Sequence, residues 1–231
     1  MRKPARLPVE ELRPYEWEPP GGFTTQWGDG KERRTVPEAD RIDWTALFGN
    51  ANPVEFEVGF GKGLFLVTES TARPDVNFFG VEIIRKYQRY ASTRIARRKL
   101  ANCRTCWGDA KKILRDHVRP GSLEIVHVFF PDPWWKARHK KRTLFTPEFA
   151  GLVRQALRPG GSLNFASDVA DYFAMVRDVM AAQPGYVEQP APEETAPRHD
   201  MDYLTNFERK FRREGRPIYR ARWATIPATP E

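Results

Sequence analysis

Cysteine is scarce in this chain, with two residues among 231, and histidine is hardly commoner, with four. Cys103 and Cys106 form a CRTC string, a spacing shared by redox pairs and by half of a zinc site. The segment NCRTCW, however, reads as a short strand whose positions i and i+3 face opposite ways, and no second Cys/His pair completes a metal set. The histidines are scattered without ligand spacing, so no metal is assigned. No serine or cysteine sits in a nucleophile context. Long apolar runs are missing too. The start, MRKPARLPVEEL, has basic residues but no apolar core of a secretory signal, and no stretch approaches the roughly 20 residues that span a bilayer. The expectation is a soluble, cytoplasmic protein with no membrane partner. Acidic residues are outnumbered, 30 against 38 basic ones, for a formal charge of +8. That balance favours a polyanionic partner or an acidic surface without choosing between them.

What is present is an alternating grammar. Residues 1–52 are rich in proline, glycine, tryptophan and charge and show no helical or strand period, so they are expected to be a mobile or loosely docked extension. From residue 53 onward, VEFEVGF, VNFFGVE, CRTCW, SLEIVHVFF and GGSLNFAS read as strands. Between and after them KGLFLVTESTA, the basic stretch from Arg85 to Leu100, DAKKILRDH, a segment starting near Pro147, and DVADYFAMVRDVMAA read as helices. Five strands alternating with helices predict an α/β domain over 53–231 with a doubly wound, mostly parallel sheet. The segment QPGYVEQPAPEETAPRHDMDY reads as a loop, FERKFRREG as a helix and PIYRARWA as a closing strand.

EVGFGKG lies between the first of these strands and its helix, where Gly59, Gly61 and Gly63 let the backbone turn tightly and approach a ligand. A dinucleotide fingerprint would be GxGxxG. Here the third glycine comes one residue early and Leu64 holds the expected place, which argues against a pyrophosphate cradle. Glu57 sits just upstream. Nineteen residues after Gly63, Glu82 ends the second strand, where a carboxylate can accept from ribose hydroxyls. Asp109 follows the third strand. Each acid has a plainer reading: Glu82 as a cap for the next helix, Asp109 as an N-cap for AKKILRD. Three acids at the carboxyl ends of three successive strands point instead to a cofactor crevice.

The fourth strand runs into FFPDPWWKARHKKR, which holds Asp132 between two prolines at the sheet edge where open α/β folds bind ligands. Trp134 and Trp135 follow, then five cations in seven residues: Lys136, Arg138, Lys140, Lys141 and Arg142. Aromatic faces beside cations suit a base next to phosphates. The plainer readings are a core plug for Trp134 and a solvated loop for the cations.

The glycine loop resembles that of the S-adenosylmethionine-dependent methyltransferases, whose Rossmann-like fold needs no phosphate cradle. With GVE, GDA, PDPWWKARHKKR and SD in order, residues 53 to 231 resemble the bacterial tRNA (guanine-N7)-methyltransferase family. The resemblance implies methyl transfer from S-adenosylmethionine to the variable-loop guanine of tRNA, with no obligate protein partner. It implies that Glu57, the glycine loop, Glu82 and Asp109 hold the cofactor, and that Asp132 borders it at the catalytic centre. Lys136, Asp168 and the segment Thr205, Asn206, Phe207, Glu208 would hold the substrate. Trp135 departs from the histidine or proline commoner in relatives. Asp168 is equally placed to be an N-cap, and Thr205 with Glu208 has capping-box spacing. Two rivals stand beside this reading: another amino-group methyltransferase of the same fold, and a non-catalytic RNA-binding protein.

Overall fold

The computed structural model describes residues 7–20, 37–133, 143–191, 203 and 205–226. The chain forms two compact units, residues 1–119 and 120–231.

The first unit contains α1 (Val9–Leu12), β1 (Glu16–Trp17), α2 (Trp44–Phe48), β2 (Val54–Val58), α3 (Leu64–Ala72), β3 (Asn77–Glu82), α4 (Arg85–Arg98), β4 (Cys103–Trp107) and α5 (Ala110–Asp116). Its strand order is β1-β4-β3-β2, and the β1/β4, β4/β3 and β3/β2 pairs are all parallel. Every residue of β2 and β3 is buried, as expected of parallel strands covered on both faces. Phe56, Phe78 and Phe79 are fully buried, and Phe56 stacks on Phe79 with centroids 5.6 Å apart. Each such ring contributes about 1.5–3 kcal/mol of burial. The register sets Glu57 opposite Gly80 and Glu82 opposite Trp107, so the acids of successive strands gather at one end.

Within residues 1–52, expected to be a mobile or loosely docked extension, the described residues make specific contacts. Leu12 is buried, Glu16 accepts from Gln88 Nε2 of α4 at 2.7 Å, and Trp17 packs edge-on against Phe79. Asn50 accepts from Asn77 Nδ2 at 2.8 Å, and Ile42 N donates to His117 O at 2.8 Å. Elements of four, two and five residues are too short to show a period in sequence.

The second unit contains β5 (Leu123–Phe129), α6 (Pro147–Ala156), β6 (Leu157–Ser167), α7 (Ala170–Ala181), β7 (Tyr186–Gln189), α8 (Asn206–Arg213) and β8 (Tyr219–Thr225). Its order is β5-β6-β8-β7: β5 and β6 are parallel, while β8 runs antiparallel to both β6 and β7. Pro147 opens α6 at a position where its missing N–H costs nothing, and Thr146 caps the helix by accepting from Phe149 N. The strand β7 lies in a stretch expected to be a loop, because YVEQ, half-buried at Tyr186 and exposed thereafter, has no apolar alternation.

Both cysteines fall in β4 and are buried free thiols. Burial pushes the Cys103 thiol up to about 12 and raises that of Cys106 as well, which keeps both protonated and unreactive.

Candidate active site

The first unit brings a glycine loop together with buried acids. The loop after β2 turns through three glycines in the left-handed region, Gly59 at φ +72°, Gly61 at +53° and Gly63 at +66°. Their reasons differ. A Cβ on Gly63 would stand 2.6 Å from Ala91 Cβ of α4, so this glycine permits close helix packing. A Cβ on Gly59 or Gly61 would meet nothing within 4 Å, and backbone there is open to an approaching ligand.

Glu82 ties this loop to the next strand. Its Oε2 accepts from Gly61 N and its Oε1 from Ile84 N, each at 2.8 Å. The carboxylate thus tethers the glycine loop and the turn that leads into α4, whose N-cap is Ile84 rather than Glu82. Asp109 caps α5 by accepting from Lys111 N at 2.9 Å and is half-buried.

Glu57 is the unusual member. Two residues earlier on the same face of β2, the equally buried Glu55 receives a bidentate Arg73 at 2.6 and 2.9 Å. Glu57 receives no such cation, and its Oε2 has no hydrogen-bond partner among the described residues. Burial first, then the charges of Glu82 and Glu69, raises its carboxyl well above the usual carboxylate range. A buried acid kept without a counter-charge fits a cationic ligand better than a structural role.

The second unit holds the other predicted residues. At the end of β5, Phe130 adopts φ +53°, strained for a bulky side chain, while its N donates to Ala166 O at 2.8 Å. Its ring packs on Phe211 and Phe207 of α8, with centroids 5.5 and 6.3 Å away. Beyond this turn the Asp132 side chain is exposed. Phe207 is itself 51% exposed, large for an aromatic ring with no structural need of solvent.

Asp168 is not an N-cap: Ser167 Oγ accepts from Val169 N, and the Asp168 carboxylate pairs with Arg216, whose guanidinium lies 4.2 Å over the Phe211 ring. Thr205 does cap α8, accepting from Glu208 N at 3.0 Å. Glu208 is buried between Arg220 at 2.7 Å and Arg212 at 3.0 Å, which fastens α8 to β8. Asn206 Oδ1 accepts from Arg209 at 3.2 Å. Sequence reasoning missed Phe130, Arg212, Arg216 and Arg220; nothing in FERKFRREGRPIYRAR singles out one arginine from another. Trp134, Lys136, Arg138, Lys140, Lys141 and Arg142 lie outside the described residues. Among the described residues no cluster of three or more His, Cys, Asp or Glu could hold a metal ion, and no helix is long and apolar enough to cross a membrane.

The alternating α/β fold, an open glycine loop and a buried acid set define a Rossmann-like S-adenosylmethionine-dependent methyltransferase. Solved structures agree on the fold. A 16S rRNA methyltransferase, KamB, superposes with a TM-score of 0.58 at 16% identity, covering 86% of this chain and 98% of that one. The 16S rRNA (adenine(1408)-N(1))-methyltransferase of Catenulisporales acidiphilia gives 0.56 at 17%, covering 81% and 92%. Sequence goes further. The family model described as "Putative methyltransferase" matches residues 51–221. A tRNA (guanine-N(7)-)-methyltransferase of Rhodopirellula baltica is 44% identical over 78% of this chain and 68% of its own length. One from Geobacter metallireducens is 37% identical over 77% and 84%. The chain belongs to the tRNA (guanine-N(7)-)-methyltransferase family.

Proposed function

We propose that this protein transfers the methyl group of S-adenosylmethionine to N7 of a guanine in tRNA, the guanine of the variable loop. The observation that carries the cofactor half is Glu57, buried without a counter-charge beside a glycine loop whose Cβ positions are open. The residues fit the cofactor: Glu57 would meet its ammonium group, the backbone of Gly59 and Gly61 its main-chain atoms, and Glu82 and Asp109 its nucleoside. Bound there, S-adenosylmethionine supplies an electrophilic methyl group on a sulfonium. The acceptor rests on relatives up to 44% identical that are named as tRNA (guanine-N(7)-)-methyltransferases. A tRNA acceptor makes the cytoplasm the place of work.

Guanine N7 has an in-plane lone pair and no proton, so the protein needs no general base. Its task is to align N7 with the methyl carbon and exclude water, worth ~7–11 kcal/mol when orientation is good. Methyl transfer would leave positive charge on the purine ring, which a carboxylate of this chain would face. Asp132, exposed beyond the strained Phe130 turn, is the acceptor for the guanine N1–H and amine and the counter-charge for that purinium. Asp168, Lys136 and the Thr205 to Glu208 segment hold the surrounding RNA, with Phe207 as the exposed ring for stacking. A guanine engaged in pairing must leave its stack to react.

The test is methylation of bulk tRNA followed by digestion and nucleoside identification. 7-Methylguanosine as the product is expected. A methylated adenosine, or no methyl transfer to RNA, contradicts the assignment.

A further inference from the structure

The helix α4 breaks the electrostatic rule that governs helices. Residues 85–99 contain Arg85, Lys86, Arg89, Arg94, Arg97, Arg98 and Lys99 and not one acid. Arg85, Lys86 and Arg89 fall in the first five positions, where the helix dipole already presents positive charge and acids are the stabilising choice. Ile84 at the N-cap supplies no side-chain acceptor. Lys86 and Arg89 are also neighbours at i and i+3, a repulsive pair of like charges. The helix persists because Gln88, Ala91, Ser92 and Ile95 are buried against the sheet, so packing holds what local electrostatics opposes. Its C-terminal cations are conventional by comparison, since Arg97, Arg98 and Lys99 stand at the negative end of the dipole.

The Glu82 carboxylate, accepting from Ile84 N, is one acid at this end against three cations, and an excess of that kind is expected where function demands it. Arg85, Lys86, Arg98 and Lys99 are exposed and Arg89 is half-buried. Among the described residues none of these five forms an ion pair with a carboxylate. The Arg85 guanidinium instead lies 4.5 Å over the Trp107 ring, which leaves its charge unneutralised. The location is equally telling: α4 starts three residues after Glu82, and Arg94 donates to Lys62 O of the glycine loop at 2.9 Å. Over its 14 residues the helix runs about 21 Å, enough to follow several phosphates of a strand.

We propose that the outward face of α4, led by Lys86 and Arg89, binds the phosphate backbone of the RNA substrate next to the cofactor loop. The proposal rests on tRNA being that substrate. Phosphate contacts of this kind position a nucleic acid without reading its sequence. They also cancel the charge conflict at the start of the helix, so bound RNA completes the electrostatics that the chain leaves open.

Two double variants of the full chain test it, Lys86→Gln with Arg89→Gln and Lys86→Glu with Arg89→Glu. Both are compared with wild type for tRNA affinity across a salt series, S-adenosylmethionine affinity and melting temperature. The glutamine variant is expected to bind tRNA more weakly, with the slope of log K against log salt shallower by about 2. The glutamate variant is expected to bind weaker still while melting no lower than wild type, because acids in the first turn suit the dipole. A structural role for the two cations would instead lower melting and affinity together, and that result overturns the proposal. So does an unchanged salt slope, which would mark the face as merely solvated. Phosphatidylserine vesicles are the remaining arm: binding lost to vesicles with tRNA binding intact overturns the RNA surface in favour of a lipid one. Wild-type 7-methylguanosine formation is measured alongside. If it fails while the tRNA slope still falls, the catalytic assignment is wrong and the RNA surface stands.

Discussion

Glu57 and Glu208 are both 3% exposed, yet they live under opposite electrostatic conditions. Glu208, in the second unit, is gripped by Arg212 and Arg220. Glu57, in the first, has an unpartnered oxygen and neighbours of its own sign. One carboxylate is satisfied by the fold and serves it. The other is not satisfied by any described residue. The same contrast separates Asp168, paired with Arg216, from Asp132, to which no described residue donates and which is exposed beyond a strained turn. In the first unit Glu55 is met by an arginine and Glu57 is not; in the second Glu208 and Asp168 are met by arginines and Asp132 is not.

The contrast is broken most severely at Glu208. Glu208→Gln removes the buried carboxylate that joins half-buried Arg212 and Arg220, a loss of about 3 kcal/mol of stability. Chemical denaturation checks this, and the folded fraction is expected to keep most of its turnover. A variant with intact stability and lost turnover would remove Glu208 from the acids that hold the fold.

Asp132→Asn is the reciprocal change. It keeps size and turn but presents an amide donor to the guanine N1–H and amine, and withdraws the charge facing the purinium. The expected loss is ~2.7–4 kcal/mol in barrier, roughly a hundredfold to a thousandfold in single-turnover rate, with melting and cofactor affinity nearly unchanged. Lower melting with normal turnover would make Asp132 a turn-forming residue.

The alternation of strands and helices was legible because β2 alternates apolar and polar residues and β3 and β5 are short, largely apolar segments, all with glycine or proline within or near them. The positions of Glu57, Glu82 and Asp109 were legible for a related reason: each stands at or near the end of its own strand, so local sequence locates it. The second unit yielded less. Asp168 and Arg216 are 48 residues apart, Glu208 and Arg220 are 12 apart, and the strand β7 lies exposed at the sheet edge. Pairings across such separations leave no local pattern. The docking of Leu12 and Trp17 escaped notice because it is made by tertiary contacts of elements too short to be periodic. The three glycines could not be told apart in sequence, since only packing distinguishes Gly63, which admits α4, from Gly59 and Gly61, which face open space.

Glu57→Gln produces the smallest change in free energy and the most telling one. Affinity for S-adenosylmethionine should fall by about 1.5–3 kcal/mol as a charged hydrogen bond becomes neutral. The effect on the ligand-free protein has the opposite sign. Because the Glu57 carboxyl is raised in the folded state, the native protein holds a proton that the unfolded chain has released, and stability falls as pH climbs from the ordinary carboxylate range toward the raised value. Glutamine cannot ionise and escapes that loss. The decisive measurement is therefore the melting temperature of wild type and Glu57→Gln from acid to mildly alkaline pH, with and without S-adenosylmethionine. The account predicts equal melting in acid, a glutamine variant that melts increasingly above wild type as pH rises, and a cofactor-induced stabilisation that is large in wild type and small in the variant. A variant that melts below wild type at every pH and keeps the full cofactor-induced shift would contradict it.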